Sequence, residues 1–244
     1  MAILVTSDTH FNHQNILRYE PITRPFINID EMNGAVIHNW NKIVKPEDTV
    51  IHCGDFFMGE LDKIDSILER LNGKIILVRG NHDTSARLEK YKSYGIEIHD
   101  IYYYKYKGRF FIFCHFPIVN EEFIKMVRED NSEVIVCYGH IHSNAQKGYV
   151  DGTYHIGVDT NDLTPISLDQ IWQESWTEEK LADPIVQEYK TAHEKTLEIS
   201  LRDCAKCVHF QRGCGGPVRD ADDLLCCPLG FTYKRDPPDG GYYG

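Results

Sequence analysis

The chain has 244 residues, of which 42% are hydrophobic and 26% are charged. This composition excludes a disordered chain and is that of a globular protein, long enough for one sizeable core and a small appendage. The acidic residues outnumber the basic ones by 37 to 26, for a formal net charge of −11. Such a charge argues against sequence-independent binding to long duplex nucleic acid, because phosphate groups repel an acidic surface.

The chain begins with Met-Ala-Ile-Leu-Val-Thr-Ser, which has four apolar residues in a row and no basic segment. We expect a strand over residues 2–7 rather than a signal peptide. No apolar stretch in the sequence has the length that spans a bilayer, so we expect no membrane association and a cytoplasmic location. Cys53, Cys114 and Cys137 lie in apolar runs and are predicted to be buried free thiols, as is usual in the cytoplasm.

Strands and helices are predicted to alternate along the first two thirds of the chain. The predicted strands cover residues 2–7, 49–53, 74–78, 101–106, 109–114, 134–138 and 154–158. The predicted helices cover residues 30–43, with Asp30 as the cap, and 61–71, 87–94 and 121–129. Lys107-Gly108 is expected to join two of the strands in a hairpin. The alternation predicts a mixed α/β sandwich with helices outside.

The composition changes near Trp172 and predicts three parts. These are a domain over residues 1–172, a helical linker over 173–201, and a Cys-rich module with a flexible tail over 202–244. The linker helix is expected to begin at Asp183-Pro184 and to run to about Leu201, because a cap followed by proline is a typical helix start.

Five short polar clusters each follow an apolar run, at or near a glycine. They are Asp8-Thr9-His10, Gly54-Asp55, Gly80-Asn81-His82-Asp83, His115 and Gly139-His140-Ile141-His142. Carboxylate, amide oxygen and imidazole are the ligands of Mn, Fe, Zn and related divalent metals. Because loops at the ends of buried strands bring side chains to one point, we expect a metal site there. The i, i+2 pairs are expected to reach this cleft from extended backbone.

The order and spacing of these clusters resemble the calcineurin-like metallophosphoesterases, whose signature reads D-x-H, G-D, G-N-H-D/E, H and G-H-x-H. The resemblance covers about residues 1–172 and implies a four-layer αββα sandwich of two mixed sheets, an α/β (α+β) fold. The run from Asp8 to Ile16, with Arg24-Pro25-Phe26 and Gly157-Val158-Asp159, is most similar to a small stand-alone bacterial and phage branch. Phe56-Phe57-Met58 after Asp55 differs from the x-x-Asp-Arg-Gly of protein Ser/Thr phosphatases and argues against that activity.

The resemblance implies two divalent metal ions of the Mn, Fe, Ni or Zn class in one active site. The residues that it assigns to the first ion are Asp8, His10, Asp55 and His142. The residues that it assigns to the second ion are Asp55 again, Asn81, His115 and His140.

The resemblance also implies how the reaction proceeds. A hydroxide shared by the two metals would attack phosphorus, while His82, the non-ligand His of the G-N-H motif, binds the phosphate and protonates the leaving oxygen. We expect Asp83 to orient His82 as a hydrogen-bond acceptor. His13, Arg24 and Arg79 are further candidates for substrate contact, since cationic groups match phosphate. Solvation of each Arg, and packing or capping by His13, are the alternatives.

The remaining five Cys form a pattern near the end of the chain. The pattern is Cys204-x2-Cys207-x6-Cys214-x11-Cys226-Cys227. A C-x2-C pair followed by further Cys in a short polar segment indicates a metal site that provides much of the folding free energy. We predict structural zinc held by the first three Cys and one of the last two, with His209 as an alternative ligand. An iron–sulfur cluster, disulfides and free thiols are the other possibilities.

These observations predict a dimetal phosphohydrolase that acts on a small phosphodiester or a nucleotide, with the diester favoured over the monoester. One alternative is a nuclease, in which Lys206, His209, Arg212 and Arg219 of the Cys-rich module bind nucleic acid. The other is a non-catalytic scaffold that binds a partner protein, against which the intact ligands and His82 argue. The oligomeric state has no signal in the sequence.

Overall fold

The computed structural model describes residues 1–117, 134–150 and 152–175, and the backbone of a C-terminal strand pair, Val218–Arg219 and Leu225–Cys226. The predicted helices over residues 121–129 and 183–201 lie outside these residues, as do Cys204, Cys207, Cys214 and Cys227. Within the described part, no helix has the length and apolarity needed to cross a membrane.

The first sheet has five strands. In chain order these are β1 (Ile3–Thr6), β2 (Thr49–His52), β3 (Lys74–Val78), β4 (Glu97–His99) and the late strand β10 (Ile166–Ser167). The spatial order is β10-β1-β2-β3-β4, with β1 to β4 parallel and β10 antiparallel to β1. Parallel strands are buried on both faces and therefore appear in the sequence as continuous apolar runs.

The second sheet is also mixed and has five strands. They are β5 (Tyr102–Tyr106), β6 (Arg109–Phe113), β7 (Val134–Tyr138), β8 (Tyr149–Val150) and β9 (Thr153–His155), in the spatial order β5-β6-β7-β9-β8. The predicted hairpin joins β5 and β6, and both turn residues have positive φ, 48° at Lys107 and 79° at Gly108. Such two-residue turns match the twist of the strands that they connect.

Five α-helices belong to the described residues. They are α1 (Ile16–Tyr19), α2 (Ile29–Ile43), α3 (Asp65–Leu68), α4 (Ser85–Ser93) and α5 (Leu168–Glu174). The cap of α2 is Asn28, whose side chain accepts a hydrogen bond from the Glu31 N–H, and not Asp30 as predicted.

The helix predicted over residues 61–71 is broken. It consists of a 3-10 turn at Leu61–Lys63 followed by the single-turn helix α3. The Ser66 hydroxyl donates to the carbonyl of Lys63 at 2.7 Å, in competition with helical bonding. Ile64 and Ile67 are nevertheless buried. The spacing of apolar residues predicts which side of the segment faces the core, but it does not predict the backbone hydrogen-bond pattern.

Two large layers make up most of the core of the described residues. Side chains of both sheets pack together between them, among them Val5, Ile51 and Val78 of the first sheet and Phe111, Phe113 and Tyr154 of the second. On the other side of the first sheet, Leu4, Val50 and Leu77 pack against Met32, Val36 and Trp40 of α2. Two mixed sheets with helices outside confirm the predicted α/β fold. The helix predicted over residues 121–129 lies outside the described residues.

The loops that follow the carboxyl ends of β1, β2, β3, β6 and β7 converge. Ser7 pairs with Gly157 across the two sheets, and the N–H of Asp8 donates to the carbonyl of Gly54. The N–H of Gly139 donates in turn to the carbonyl of His115. Crevices at the carboxyl ends of parallel strands are the usual place for ligand binding in open α/β sheets.

Candidate metal centre

Two groups of three predicted ligands lie at this convergence, with the ligand atoms of each group within 4.8 Å of one another. One group is Asp8, His10 and His142, and the other is Asp55, His115 and His140. The structure also brings the seventh predicted ligand to the site, since Asn81 Oδ1 lies 2.8 Å from His115 Nε2. The two groups adjoin, because His10 Nε2 lies 3.6 Å from Asp55 Oδ2.

The donor atoms of the first group fit a metal ion. Asp8 and His10 are 0% and 1% exposed, and Asp8 Oδ1 and His10 Nε2 are buried atoms without a hydrogen-bond partner. A buried polar atom left unpaired costs about 1–3 kcal/mol. A divalent cation would satisfy both atoms at once, and mixed carboxylate and imidazole donors suit Mn, Fe or Zn.

Burial and mutual charge shift the pKa values in this site. Burial raises the pKa of Asp8 to about 6 and lowers the pKa of His10 well below its usual value. Burial also acts to raise the pKa of Asp55, but the hydrogen bond and charge of His115 outweigh it and hold that pKa below its usual range. For His115, burial is outweighed by Asp55 and Asp8, which raise its pKa to about 8. The site is thus a buried set of carboxylates and imidazoles that a cation would stabilise.

Five of the predicted ligands adopt left-handed backbone conformations. Their φ angles are 57° at Asp8, 47° at His10, 55° at Asp55, 72° at His140 and 50° at His142. The expectation that the i, i+2 pairs extend from strand-like backbone was therefore wrong. The side chains converge from tight turns that non-glycine residues rarely adopt.

Two glycines let the loops after β2 and β3 touch. A Cβ atom on Gly54 would overlap the backbone of Gly80, and one on Gly80 would overlap the backbone and carboxylate of Asp55. Gly54 also has a φ of +87°. Glycine is required at both positions because the approach of the two backbones places Asp55 beside Asn81 and His115.

His82 lies at the open side of the centre. Its side chain is 43% exposed, and its Nε2 lies 3.9 Å from Asp55 Oδ2. Its backbone N–H donates to Asp55 Oδ1 at 2.8 Å. The rings of His10 and His13 have centroids 5.6 and 6.4 Å from the His82 ring. His82 and His13 therefore border the two ligand groups with imidazoles that solvent reaches.

Asp83 has a different role from the predicted one. Its buried carboxylate accepts hydrogen bonds from the backbone N–H groups of Asp55, Gly80 and Phe56, at 2.8, 2.9 and 3.3 Å. The expectation that Asp83 orients the imidazole of His82 was wrong, because its oxygens are engaged by these backbone donors. Asp83 fixes the two glycine-containing loops to each other.

Arg24 is not a substrate contact, because it is fully buried. Its Nε and Nη2 each lie 2.8 Å from an oxygen of Asp159, and its Nη atoms donate to the carbonyls of Asp8 and Thr9. Asp159 Oδ2 lies 2.7 Å from His142 Nδ1, which leaves His142 Nε2 toward the ligand group. Arg79, by contrast, is 54% exposed and pairs with Asp100 at 3.2 Å.

One positioning residue, Arg87, has no signal in the sequence. It donates to the backbone carbonyls of His82 and Met58, at 2.6 and 3.1 Å, and so ties the His82 turn to the loop after β2. Because these hydrogen bonds go to backbone carbonyls, no sequence motif marks this role. Asp159 does have one, since it closes the Gly157-Val158-Asp159 motif.

Comparison with known proteins agrees with the family that the sequence motifs resemble. The sequence model of the calcineurin-like phosphoesterase superfamily domain matches residues 1–156. The uncharacterized protein MJ1445 of Methanocaldococcus jannaschii is 34% identical over 176 residues, which are 69% of this chain and 88% of that protein.

Solved structures are similar as well. A protein of unknown function from Aquifex aeolicus, AQ665, is 31% identical with a TM-score of 0.58, over 70% of this chain and 98% of that one. A novel archaeal phosphodiesterase is 25% identical with a TM-score of 0.39, over 64% of this chain and 82% of that one.

Proposed function

The chain belongs to the calcineurin-like phosphoesterase superfamily, and on that premise we propose that it is a dimetal phosphodiesterase that cleaves a small phosphodiester or a nucleotide. Membership supports the coarser statement, that the protein is a metal-dependent hydrolase of phosphate esters. The diester preference, the substrate and the roles of individual residues are the proposal.

One observation carries the proposal. Two groups of ligand atoms adjoin at Asp55, and the exposed imidazole of His82 lies beside them without belonging to either. A site that only stores or senses a metal has no need of a further imidazole held at its open side. A site that breaks a phosphate ester needs a proton donor there.

The seven predicted ligands, Asp8, His10, Asp55, Asn81, His115, His140 and His142, would hold two metal ions. Divalent metal ions supply Lewis acidity toward a phosphoryl oxygen and lower the pKa of a water nucleophile. The protein contributes the geometry. His82 binds a phosphate oxygen and donates a proton to the leaving oxygen, Arg87 holds the backbone of His82, and His13 contacts the phosphate from the adjoining side.

The diester preference follows from what stands after Asp55. Protein Ser/Thr phosphatases carry Asp and Arg at the third and fourth positions after this residue, where this chain has Met58 and Gly59. A dimetal site with a His acid serves diesters and monoesters alike, so the absence of this signature favours the diester over a phosphoprotein monoester.

The test is hydrolysis of an aryl phosphodiester and its monoester in Mn²⁺, by wild type, His82→Ala and Asp55→Asn. We expect turnover of the diester, a loss of about 10²–10⁴-fold in kcat with metals retained in His82→Ala, and loss of both metal and turnover in Asp55→Asn. His38→Ala, an exposed His on α2, is the control and should behave as wild type. Turnover of neither ester by metal-loaded wild type would contradict the proposal.

The remaining parts of the chain stay predictions. They are the domain boundaries at residues 172 and 201, the structural zinc of the Cys-rich module, nucleic-acid binding by that module, and the cytoplasmic location. The described strand pair places Cys226 opposite Val218 in antiparallel register, within the segment that the zinc prediction covers.

A further inference from the structure

A cavity of about 550 Å³ opens beside the ligand group of Asp55, His115 and His140. Its lining includes Asn81 and His115, so it borders the predicted metal centre. A second cavity, of about 650 Å³, lies near Asn12 and Gly59 and has none of the predicted ligands in its lining. The first cavity therefore offers space for a group attached to a phosphate at the ligands.

Phe116 forms an aromatic wall of this cavity. The side chain is 51% exposed, although it follows directly on His115. Its ring centroid lies 4.6 Å from that of His140 and 5.0 Å from that of His115, and the Cys114 thiol donates to the Phe116 carbonyl at 3.1 Å. A phenyl ring held in place and open to solvent is a surface on which another ring can stack.

The charge of the cavity indicates what kind of group fits. Among the described lining residues, the only Lys or Arg is Arg79, and it pairs with Asp100. Asp100 offsets the charge of this one guanidinium, so the described lining presents little net positive charge to a second phosphate. The hydroxyls of Thr84 and Ser85, which are exposed in the same lining, are suited to a neutral polar group such as a sugar.

We propose that this cavity binds the nucleoside part of the substrate, with the base stacked on Phe116 and the phosphate at the metal ligands. The inference rests on the proposed function and narrows its substrate to nucleoside phosphodiesters. A nucleoside has a flat base that can stack on the Phe116 ring and a neutral polar sugar that can contact the hydroxyls of Thr84 and Ser85. The cavity also has the volume of typical small-molecule sites. An alkyl ester would leave the Phe116 ring exposed to water.

Direct binding gives the first test. The affinity of Mn²⁺-loaded protein for adenosine 5′-monophosphate and for methyl phosphate is measured by calorimetry. We expect wild type to prefer the nucleotide, and Phe116→Ala to lower that preference by about tenfold or more, the usual effect of losing one stacked base. Phe116→Trp should keep the preference, and so should Ile22→Ala, a control at an apolar side chain that is 90% exposed.

Turnover separates this proposal from the broader one. The substrates are thymidine 5′-(4-nitrophenyl) phosphate and methyl 4-nitrophenyl phosphate, which share the leaving group and differ in the nucleoside. Phe116→Ala should lower the ratio of their kcat/KM values by about tenfold. Turnover of both by wild type, with no change of the ratio in Phe116→Ala, would overturn the nucleoside cavity and leave the phosphodiesterase standing. Turnover of neither, with nucleotide binding that still depends on Phe116, would overturn the phosphodiesterase alone.

Discussion

The backbone strain at the predicted ligands is held by specific neighbours. A left-handed residue other than glycine costs about 1–2 kcal/mol, and five ligands are in this state. Arg24 donates to the carbonyls of Asp8 and Thr9, and Asp83 accepts from the N–H groups of Asp55 and Gly80. These buried charged side chains offset the strain by fixing backbone groups that regular secondary structure would otherwise pair. The site is therefore preorganised by residues beneath it.

The Arg24–Asp159 pair gives a prediction for stability. Both side chains are fully buried, so Arg24→Met leaves the Asp159 carboxylate without its main partner and should lower the free energy of unfolding by about 3–5 kcal/mol. The measurement is urea unfolding in EDTA, which removes any contribution of bound metal. Arg79→Met, which breaks the exposed pair with Asp100, should cost less than about 1 kcal/mol.

A double mutant and the pH dependence check the cause. Arg24→Met with Asp159→Asn should cost less than the sum of the single changes, and additive costs would contradict the pairing. Burial acts to raise the pKa of Asp159, but the bonds from Arg24 and His142 hold it below its usual range. The contribution of the pair should therefore be complete above about pH 4 and decrease as the pH falls further.

At the scale of elements, α2 combines a good cap with one weak position. Asn28 caps the first turn, and Gly34 lies inside the helix with no atom beyond the local helix backbone within 4 Å of the place where a Cβ would stand. Glycine costs about 0.5–1 kcal/mol relative to alanine inside a helix. Gly34→Ala should therefore stabilise the protein by that amount, whereas Asn28→Ala should destabilise it by about 1 kcal/mol. Thermal unfolding of both variants measures this, and a lower midpoint for Gly34→Ala would contradict it.

The elements also show what the sequence can predict. The strands that carry ligands were predicted from their apolar runs, since burial on both faces leaves a strong signal. The short strands β4, β8 and β10 were not predicted, because two or three residues paired at a sheet edge have no periodicity to detect. The broken helix at residues 61–71 was missed for a related reason, since the same spacing of apolar side chains fits two short turns.

The candidate site was predicted to a similar extent. The seven ligands and His82 follow the family motif, and the structure brings them together. The partners of Asp83, Arg24 and Arg87 could not be predicted, because their hydrogen bonds go to backbone atoms far away in the sequence. Left-handed conformations at non-glycine residues were missed as well, since local propensity disfavours them and only the tertiary contacts maintain them.

At the scale of the molecule, the site depends on both sheets at once. Asp8, Asp55 and Asn81 follow strands of the first sheet, whereas His115 and His140 follow strands of the second. Neither sheet alone carries a complete ligand set. Formation of the site is thus coupled to the packing of the two sheets, and metal binding should stabilise their association.

Three buried thiols can be used to measure this coupling between metal binding and the packing of the two sheets. Cys53, Cys114 and Cys137 are 0%, 5% and 0% exposed and lie just before the ligand loops of both sheets. Burial raises the pKa of Cys114 to about 12 and those of the other two well above the usual value. Because the thiolate is the reactive form, none of the three should react with iodoacetamide at pH 8 in the folded protein, while all three should react in concentrated urea.

The effect of metal binding on these thiols shows whether the two sheets unfold as a unit. Alkylation of each Cys is followed by mass spectrometry of its peptide across a urea series, with and without Mn²⁺. If both sheets contribute to the metal centre, Mn²⁺ should move the midpoints of Cys53, Cys114 and Cys137 to higher urea by the same amount, since a ligand that binds only the folded state stabilises every part that unfolds with it. In Asp55→Asn, Mn²⁺ should leave the three midpoints unchanged. The opposite outcome is that Cys114 and Cys137 are labelled at lower urea than Cys53, with midpoints that Mn²⁺ does not change. This would mean that the second sheet opens independently and that the metal centre does not join the two sheets.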